Sequence, residues 1–276
     1  MTATTATAPA GSAGARPLTS RVSPLDGLKQ SATLAWRTVV QVRHNPWELS
    51  DFSIQPIMFV LLFTFVFGGA IQGDWRAYLE FVVPGMFVMN MLFVTMYVAQ
   101  GLNTDLTKGV FDRLRSLPIA RWSPLAGRIA ADQVKQIWSI FLVALTGVVL
   151  GFRPDAGWLG LLWATLLLLG FALAFSWVSV LIGLTAKDPE RVQIFGFTFL
   201  FPITFVSNVF VPAESIQIGW LRWFIEHNPV SVLSDAVRGM IHGGPVMTPT
   251  ITSLIWAAVI TLIFAPLSVR TFKRKV

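Results

Sequence analysis

This sequence predicts an all-α integral membrane protein with six transmembrane helices, and three observations carry that expectation. Hydrophobic residues make up 54% of the 276 and charged residues only 13%, against about 45–50% and about 25% in a soluble chain. So little charge cannot cover a water-facing surface, which excludes a soluble enzyme. The charges are also segregated. They bound six long uncharged intervals: Asp51–Asp74, Glu80–Asp105, Lys135–Arg153, Asp155–Lys187, Arg191–Glu214 and Arg238–Arg270. Finally, the basic residues alternate between sides. Of the 21 Lys and Arg, only Arg76, Arg153, Arg222 and Arg238 fall in one set of connections. The rest lie in the arm before the first interval, in residues 102–135, in residues 186–191 and in the tail (Arg270, Lys273, Arg274, Lys275). Because Lys and Arg stay on the cytoplasmic side, both termini and the 102–135 loop are expected in the cytoplasm.

The net charge of +7 belongs to these loops facing anionic lipid, not to a nucleic-acid surface. The absence of cysteine excludes a disulfide framework, a thiolate metal site and a catalytic thiol.

Residues 1–22 are mostly Ala, Thr, Ser, Gly and Pro and are expected to form a disordered tail. They carry no apolar segment of the secretory-signal kind. Residues 23–45 predict an interfacial amphipathic helix. Ser23-Pro24 supplies a cap and a first-turn proline, and Asp26 lies in the first turn. Leu28, Trp36, Val39, Val40 and Val42 are then interleaved with Lys29, Arg37 and Arg43 up to Asn45-Pro46. Residues 46–276 form the transmembrane domain. A span needs about 20 apolar residues, so the short third interval is expected to begin its helix earlier, near Ser123-Pro124. The convincing part of the sixth is Ile251 to Val269. Pro56, Pro84, Pro202 and Pro266 can kink spans, while Gly68, Gly69, Gly183 and Gly196 allow close helix contact. Between the fifth and sixth intervals, residues 213–250 predict two short helices dipping into the outer leaflet. They break at His227-Asn228-Pro229, with Trp220 and Trp223 at the headgroups.

The informative loop reads NTDLTKGVFDRLRSLP over residues 103–118. Asn103 or Thr104 can cap a short helix. Leu106, Val110, Phe111, Leu114 and Leu117 share one apolar face, Asp105, Lys108, Asp112, Arg113 and Arg115 occupy the rest, and Pro118 ends the helix. Such a helix either lies against lipid without a partner or docks in a partner's groove. In the second case it is a handle on the second and third spans.

KGVFDRLRSLPIARWSPLAGRIAAD, residues 108–132, closely resembles the loop signature of the type-2 ABC transporter permeases, within them the daunorubicin-resistance (DrrB-like) drug-efflux branch. FVSNVFVPAESIQIGWLRWFIEHNPVSVLSDAVRGM, residues 205–240, resembles the same branch after its fifth span. Some relatives place Glu before the loop glycine, whereas this chain has Lys108 before Gly109. The resemblance implies a permease subunit in a bacterial plasma membrane, used twice as a homodimer or heterodimer, with short external re-entrant helices. It also implies a coupling helix that grips a separate ATP-binding cassette subunit through Leu106, Gly109, Val110, Phe111, Asp112, Arg113, Leu114, Arg115, Leu117 and Pro118.

No phosphate-binding G-x-x-x-x-G-K-[ST] occurs, so ATP and its Mg²⁺ are expected on the partner, with no cofactor in this chain. His44, His227 and His242 lack metal-ligand spacing and are expected to be interfacial polar residues, and no catalytic motif is present. The intervals contain no acid or base, which argues against an ion-coupled carrier. An uncharged path rich in Met and Phe suits flat hydrophobic cargo. Met89, Asn90, Phe93, Phe197, Phe201 and Asn208 are its candidate residues. The sequence therefore predicts the transmembrane part of an ATP-driven exporter of hydrophobic drugs or antibiotics. The same machinery carrying a polysaccharide or lipid-linked cargo is the alternative, and an ion-coupled carrier or membrane-embedded enzyme a remote one.

Overall fold

The computed structural model describes residues 24–43, 46–115, 120 and 122–275. All regular structure among them is helical. Eleven α-helices run in order: α1 (Pro24–Arg43), α2 (Pro46–Leu62), α3 (Gly68–Gln72), α4 (Trp75–Thr107), α5 (Val110–Arg115), α6 (Ser123–Leu150), α7 (Gly157–Thr185), α8 (Pro189–Phe205), α9 (Gly219–His227), α10 (Pro229–His242) and α11 (Met247–Lys275). A π-helical turn, Phe63–Phe67, joins α2 to α3. The predicted tail at 1–22 lies outside the described residues.

Local chemistry sets the boundaries. The Asp74 carboxylate accepts from Arg76 N at 3.2 Å and caps α4. Asp188 accepts from Arg191 N at 2.8 Å and caps α8, whose first residue is Pro189. Asn228 accepts from Val230 N at 2.9 Å and caps α10, at the predicted break before Pro229. Helix α6 begins at Ser123-Pro124, as expected from the shortness of its uncharged interval. The four prolines stay inside α2, α4, α8 and α11.

Helix α4 is the axis of the bundle. Tyr78, Leu79, Met86, Phe87, Met89, Met91 and Leu92 are all at most 2% exposed, and α4 packs against α6, α7, α8 and α10. The apolar core is divided. A large cluster built on α4 also takes in Val143, Leu168, Phe171 and Leu233. A small separate cluster sits at the end of the bundle that carries the 103–132 loop. Apolar side chains also cover much of the outside, including Leu159 and Trp163 on α7, Ile194 and Phe199 on α8, and Leu254 and Leu262 on α11. Hydrocarbon is the solvent that stabilises such a surface. Among the described residues, five helical stretches are long and apolar enough to cross a membrane: Ser53–Gln72, Trp75–Thr107, Ser123–Leu150, Gly157–Thr185 and Met247–Lys275.

The remaining uncharged interval, Arg191–Glu214, is helical only to Phe205. Its helix ends early because its last carbonyls find other donors. The Asn228 amide donates to Ile203 O and Val206 O, both at 2.8 Å, and Ser207 Oγ donates to Thr204 O. The segment that follows is irregular yet buried at Ser207, Asn208, Val209 and Phe210. Irregular backbone in a bilayer must be satisfied by protein, and here it is. Ser231 Oγ accepts from Asn208 N at 3.0 Å, and Tyr78 donates to Phe210 O at 3.0 Å. Arg238 Nη2 reaches Asn208 O at 2.6 Å and Val209 O at 3.3 Å. Gly85 opens the space: a Cβ there would stand 2.6 Å from Val209 O.

Candidate coupling site and cargo pocket

At the loop end, α4 runs on through Thr107, further than the sequence suggested. Gly109, at φ +66°, then turns the chain into the six-residue α5. This corrects the expected cap. Asn103 and Thr104 lie inside α4, and Thr104 Oγ1 donates back to Gln100 O at 2.9 Å. The Asn103 amide caps the far partner instead, donating to Gly183 O at 3.0 Å and Ala186 O at 2.8 Å at the end of α7. Close approach makes this possible, because a Cβ on Gly183 would lie 2.5 Å from Ala99 O.

Phe111 is the inward side chain of α5, only 6% exposed. It enters the small cluster with Val98 and Leu102 of α4, Leu125 and Ile129 of α6, Val180 and Leu184 of α7, and Phe272 of α11. Its ring meets that of Phe272 edge-on at 5.5 Å. Leu106 packs on the same cluster from the end of α4, Val110 is half-buried and Arg113 is exposed. The side chains of Asp112, Leu114 and Arg115, and all of Leu117 and Pro118, lie outside the described residues.

Two further ties brace this end. Arg128 Nη1 of α6 pairs with Asp105 Oδ2 of α4 at 3.1 Å, its guanidinium lying across Gly101, where a Cβ would have no room. Helix α1 is strapped to the start of α6. Ser123 Oγ donates to Gly27 O at 3.0 Å, Ala120 N donates to Gln30 Oε1 at 3.0 Å, and Gly127 lies against Ser31 O and Leu34. The amphipathic helix read in the sequence is thus also part of the bundle.

Nearer the loop end than the middle of α4 and α8, these two helices and α2 form a half-open pocket of about 90 Å³. Gln55, Phe93, Met96, Tyr97, Gln100, Val192, Gln193, Gly196 and Phe197 line it, with no acid or base. The Phe93 and Phe197 rings are tilted 56° at 6.1 Å between centroids. The other sequence candidates are placed elsewhere. Met89 and Asn90 are buried in α4, and Phe201 is exposed on α8, stacked on Phe205 at 4.0 Å. The Asn208 amide donates to Asp235 Oδ1 at 2.7 Å. A wider concavity of about 510 Å³ over Ile54, Ile57, Met58, Leu61 and Leu62 is an open apolar face of α2.

At the opposite end Arg238 is the knot. Beyond Asn208 and Val209, it donates to Phe81 O at 3.2 Å and Asp235 Oδ1 at 3.2 Å, with its guanidinium 4.0 Å from the Phe81 ring centre. Burial lowers the pKa of Arg238 to about 10 against the pull of the half-exposed Asp235. Nearby, Trp220 and Trp223 of α9 are exposed while Ile225 is buried. His242 sits between Asp155 Oδ2 at 2.9 Å and Glu80 O at 3.0 Å, which is a structural setting.

A permease reading needs the loop helix, the broken fifth element and the two short helices in this order, and residues 29–242, which contain them all, match the ABC-2 type transporter family. The chain belongs to that family. This ABC-2 permease is 36% identical over 247 residues to a daunorubicin resistance ABC transporter permease protein of Streptomyces coeruleorubidus, covering 89% of this chain and 87% of that one. It is 33% identical over 221 residues, 78% of each chain, to a probable doxorubicin resistance ABC transporter permease protein of Mycobacterium tuberculosis. A probable multidrug ABC transporter permease of Escherichia coli K12 is 24% identical over 200 residues, 72% of this chain and 54% of that one. A permease of this family is a membrane subunit whose ATPase is a separate ATP-binding subunit. Sequence reasoning missed Phe272, Arg128 and Arg238. The only signal for Phe272 was an aromatic residue set among four basic ones.

Proposed function

We propose that this permease exports flat, hydrophobic drugs of the anthracycline kind, driven by a cognate ATP-binding subunit that pushes on α5. The likeness to a daunorubicin resistance permease over nearly the whole of both chains carries the reading. The uncharged pocket bears on it through its lining alone, since about 90 Å³ does not hold a whole polycycle: two phenyl rings suit stacking at the edge of a flat cargo, and Gln55, Gln100 and Gln193 suit carbonyl and hydroxyl groups. Two copies work together in a bacterial plasma membrane, with the 103–132 loop and both termini in the cytoplasm and α9 at the outer headgroups. Arg113, exposed on α5, contacts the ATP-binding subunit, and by the sequence resemblance Asp112, Leu114, Arg115, Leu117 and Pro118 belong to the same contact. Gly109 is the hinge, and Leu106, Val110 and Phe111 carry its push into the bundle.

Inverted membrane vesicles containing the permease and its cognate ATP-binding subunit are expected to accumulate daunorubicin only with ATP. Accumulation without the ATP-binding subunit, or none with both, would sink the reading. In the same vesicles Phe93→Ala should raise the daunorubicin concentration for half-maximal uptake about tenfold, roughly the 1.4 kcal/mol of a lost aromatic contact. An unchanged concentration would place the cargo elsewhere. For topology, a reporter fused after Val276 should be active only as a cytoplasmic reporter, and an external one would reverse the orientation.

A further inference from the structure

Helix α11 is the least buried of the long helices: only 11% of its apolar window is covered. Its buried residues are Ser253, Ile260, Ser268 and Phe272, a single seam, and the last two turns hold it most firmly. Ser268 Oγ donates to Trp177 O of α7 at 2.8 Å. Phe272 is 6% exposed although Lys273 and Arg274 beside it are exposed. Lys275 Nζ donates to Leu184 O of α7. A basic last turn at a membrane boundary ordinarily sends its side chains out to water and anionic headgroups. Here the aromatic turns inward instead, and Lys275, exposed like its neighbours, bends its ammonium back onto a carbonyl of α7.

What they reach is specific. Leu184 O lies beside Gly183 O and Ala186 O, the carbonyls that Asn103 of α4 holds. These groups have lost their helical partners, and a cation suits a helix C-terminus. The end of α7 is thereby clamped from one side by α4 and from the other by α11. Phe272 supplies the floor on which Phe111 of α5 rests.

We propose that the last turn of α11 is part of the coupling apparatus: Phe272 and Lys275 brace α5 and the end of α7 into one block, so that a push on α5 moves α7 and α11 together. Without the brace, α5 swings about Gly109 and the push is absorbed in the small cluster. The inference rests on α5 being the element the ATP-binding subunit moves. It assigns positioning roles to two residues that touch neither nucleotide nor cargo.

The test uses the full chain with its cognate ATP-binding subunit in membrane vesicles. Three quantities are read: ATP-binding subunit retained on the purified permease, ATP hydrolysed, and daunorubicin moved per ATP. Phe272→Ala and Lys275→Met should retain the subunit and hydrolyse ATP, but move at least about fivefold less daunorubicin per ATP, the lower end of a measurable coupling. Phe272→Leu and Lys275→Arg, which keep the bulk and the donor, should recover most of the loss. A merely structural role would lower the amount of protein without changing drug per ATP, and that result overturns the proposal. So does loss of the ATP-binding subunit, which would make α11 a docking surface and not an internal brace. Should Phe272→Ala fail to accumulate, Lys275→Met, at the last turn, decides alone. A wild-type pair that moves no daunorubicin overturns the functional reading and this inference with it. A wild-type pair that works beside variants of equal drug per ATP overturns the inference only.

Discussion

Phe111→Ala is expected to cut ATP-dependent drug accumulation at least about tenfold while the permease still inserts and still binds cargo. Helix α5 has six residues, too short to be stable alone. It holds its place through what it buries, and Phe111 is its buried side chain among the described residues. Truncating a core Phe to Ala costs about 3–5 kcal/mol, comparable with anything else that could hold so short a helix. The small cluster would then lose Phe111, its member from α5 among the described residues, and on the coupling reading proposed above, motion of the ATP-binding subunit would no longer reach α4, α6, α7 and α11. The large cluster around α4 is separate, so the bundle should survive. Purified yield, drug binding to the isolated permease and vesicle uptake separate these outcomes. Uptake equal to that of the wild type would show that force enters elsewhere.

The elements themselves were legible because they follow local rules. Ser123-Pro124 starts α6 through its proline and without a side-chain cap, and Asn228-Pro229 separates α9 from α10 through the Asn228 cap. The extent of α8 was not legible. Residues 206–212 are as apolar and uncharged as a helix would be. What stops the helix is the Asn228 side chain at the head of α10, 25 and 22 residues beyond the Ile203 and Val206 carbonyls that it satisfies. The same failing hid the true partner of Asn103. Polar, near a glycine and ahead of an apolar run, it reads as a local cap, yet its amide serves α7. Phe111 was legible as an apolar-face residue but not as the inward one of its helix. Of the cargo candidates, Phe93 and Phe197 converge on one cavity, while Asn208 is committed to Asp235. The sequence signal was a Met- and Phe-rich interval for the two rings and a lone amide inside an apolar interval for Asn208, and only tertiary structure separates a ring that lines a cavity from an amide already bonded to a carboxylate.

The two ends of the bundle are built on opposite principles, and a substitution at Arg238 brings this out. Phe111 works through apolar contact that can slide, whereas Arg238 ties two carbonyls of the irregular segment after α8 to a carbonyl inside α4. Arg238→Met keeps the stem and removes five donors. Phe81 O, Asn208 O and Val209 O then lose the guanidinium, at about 1–3 kcal/mol for each carbonyl left dry. Asp235, with its side chain 46% exposed, is solvated and adds little. The melting temperature of the purified permease should fall on the order of 10 °C. Arg238→Lys keeps the charge but not the fork, cannot reach α4 and the 206–210 segment together, and should recover only part of the loss. Asp235→Asn leaves an oxygen for the Asn208 amide and should melt within a few degrees of the wild type, about the cost of one partly exposed contact. If Arg238→Met melts with the wild type, the broken segment is held by Tyr78, Ser231 and Asn228 alone. If Asp235→Asn is the more damaging of the two, the charge pair is the fastening and the carbonyls are incidental.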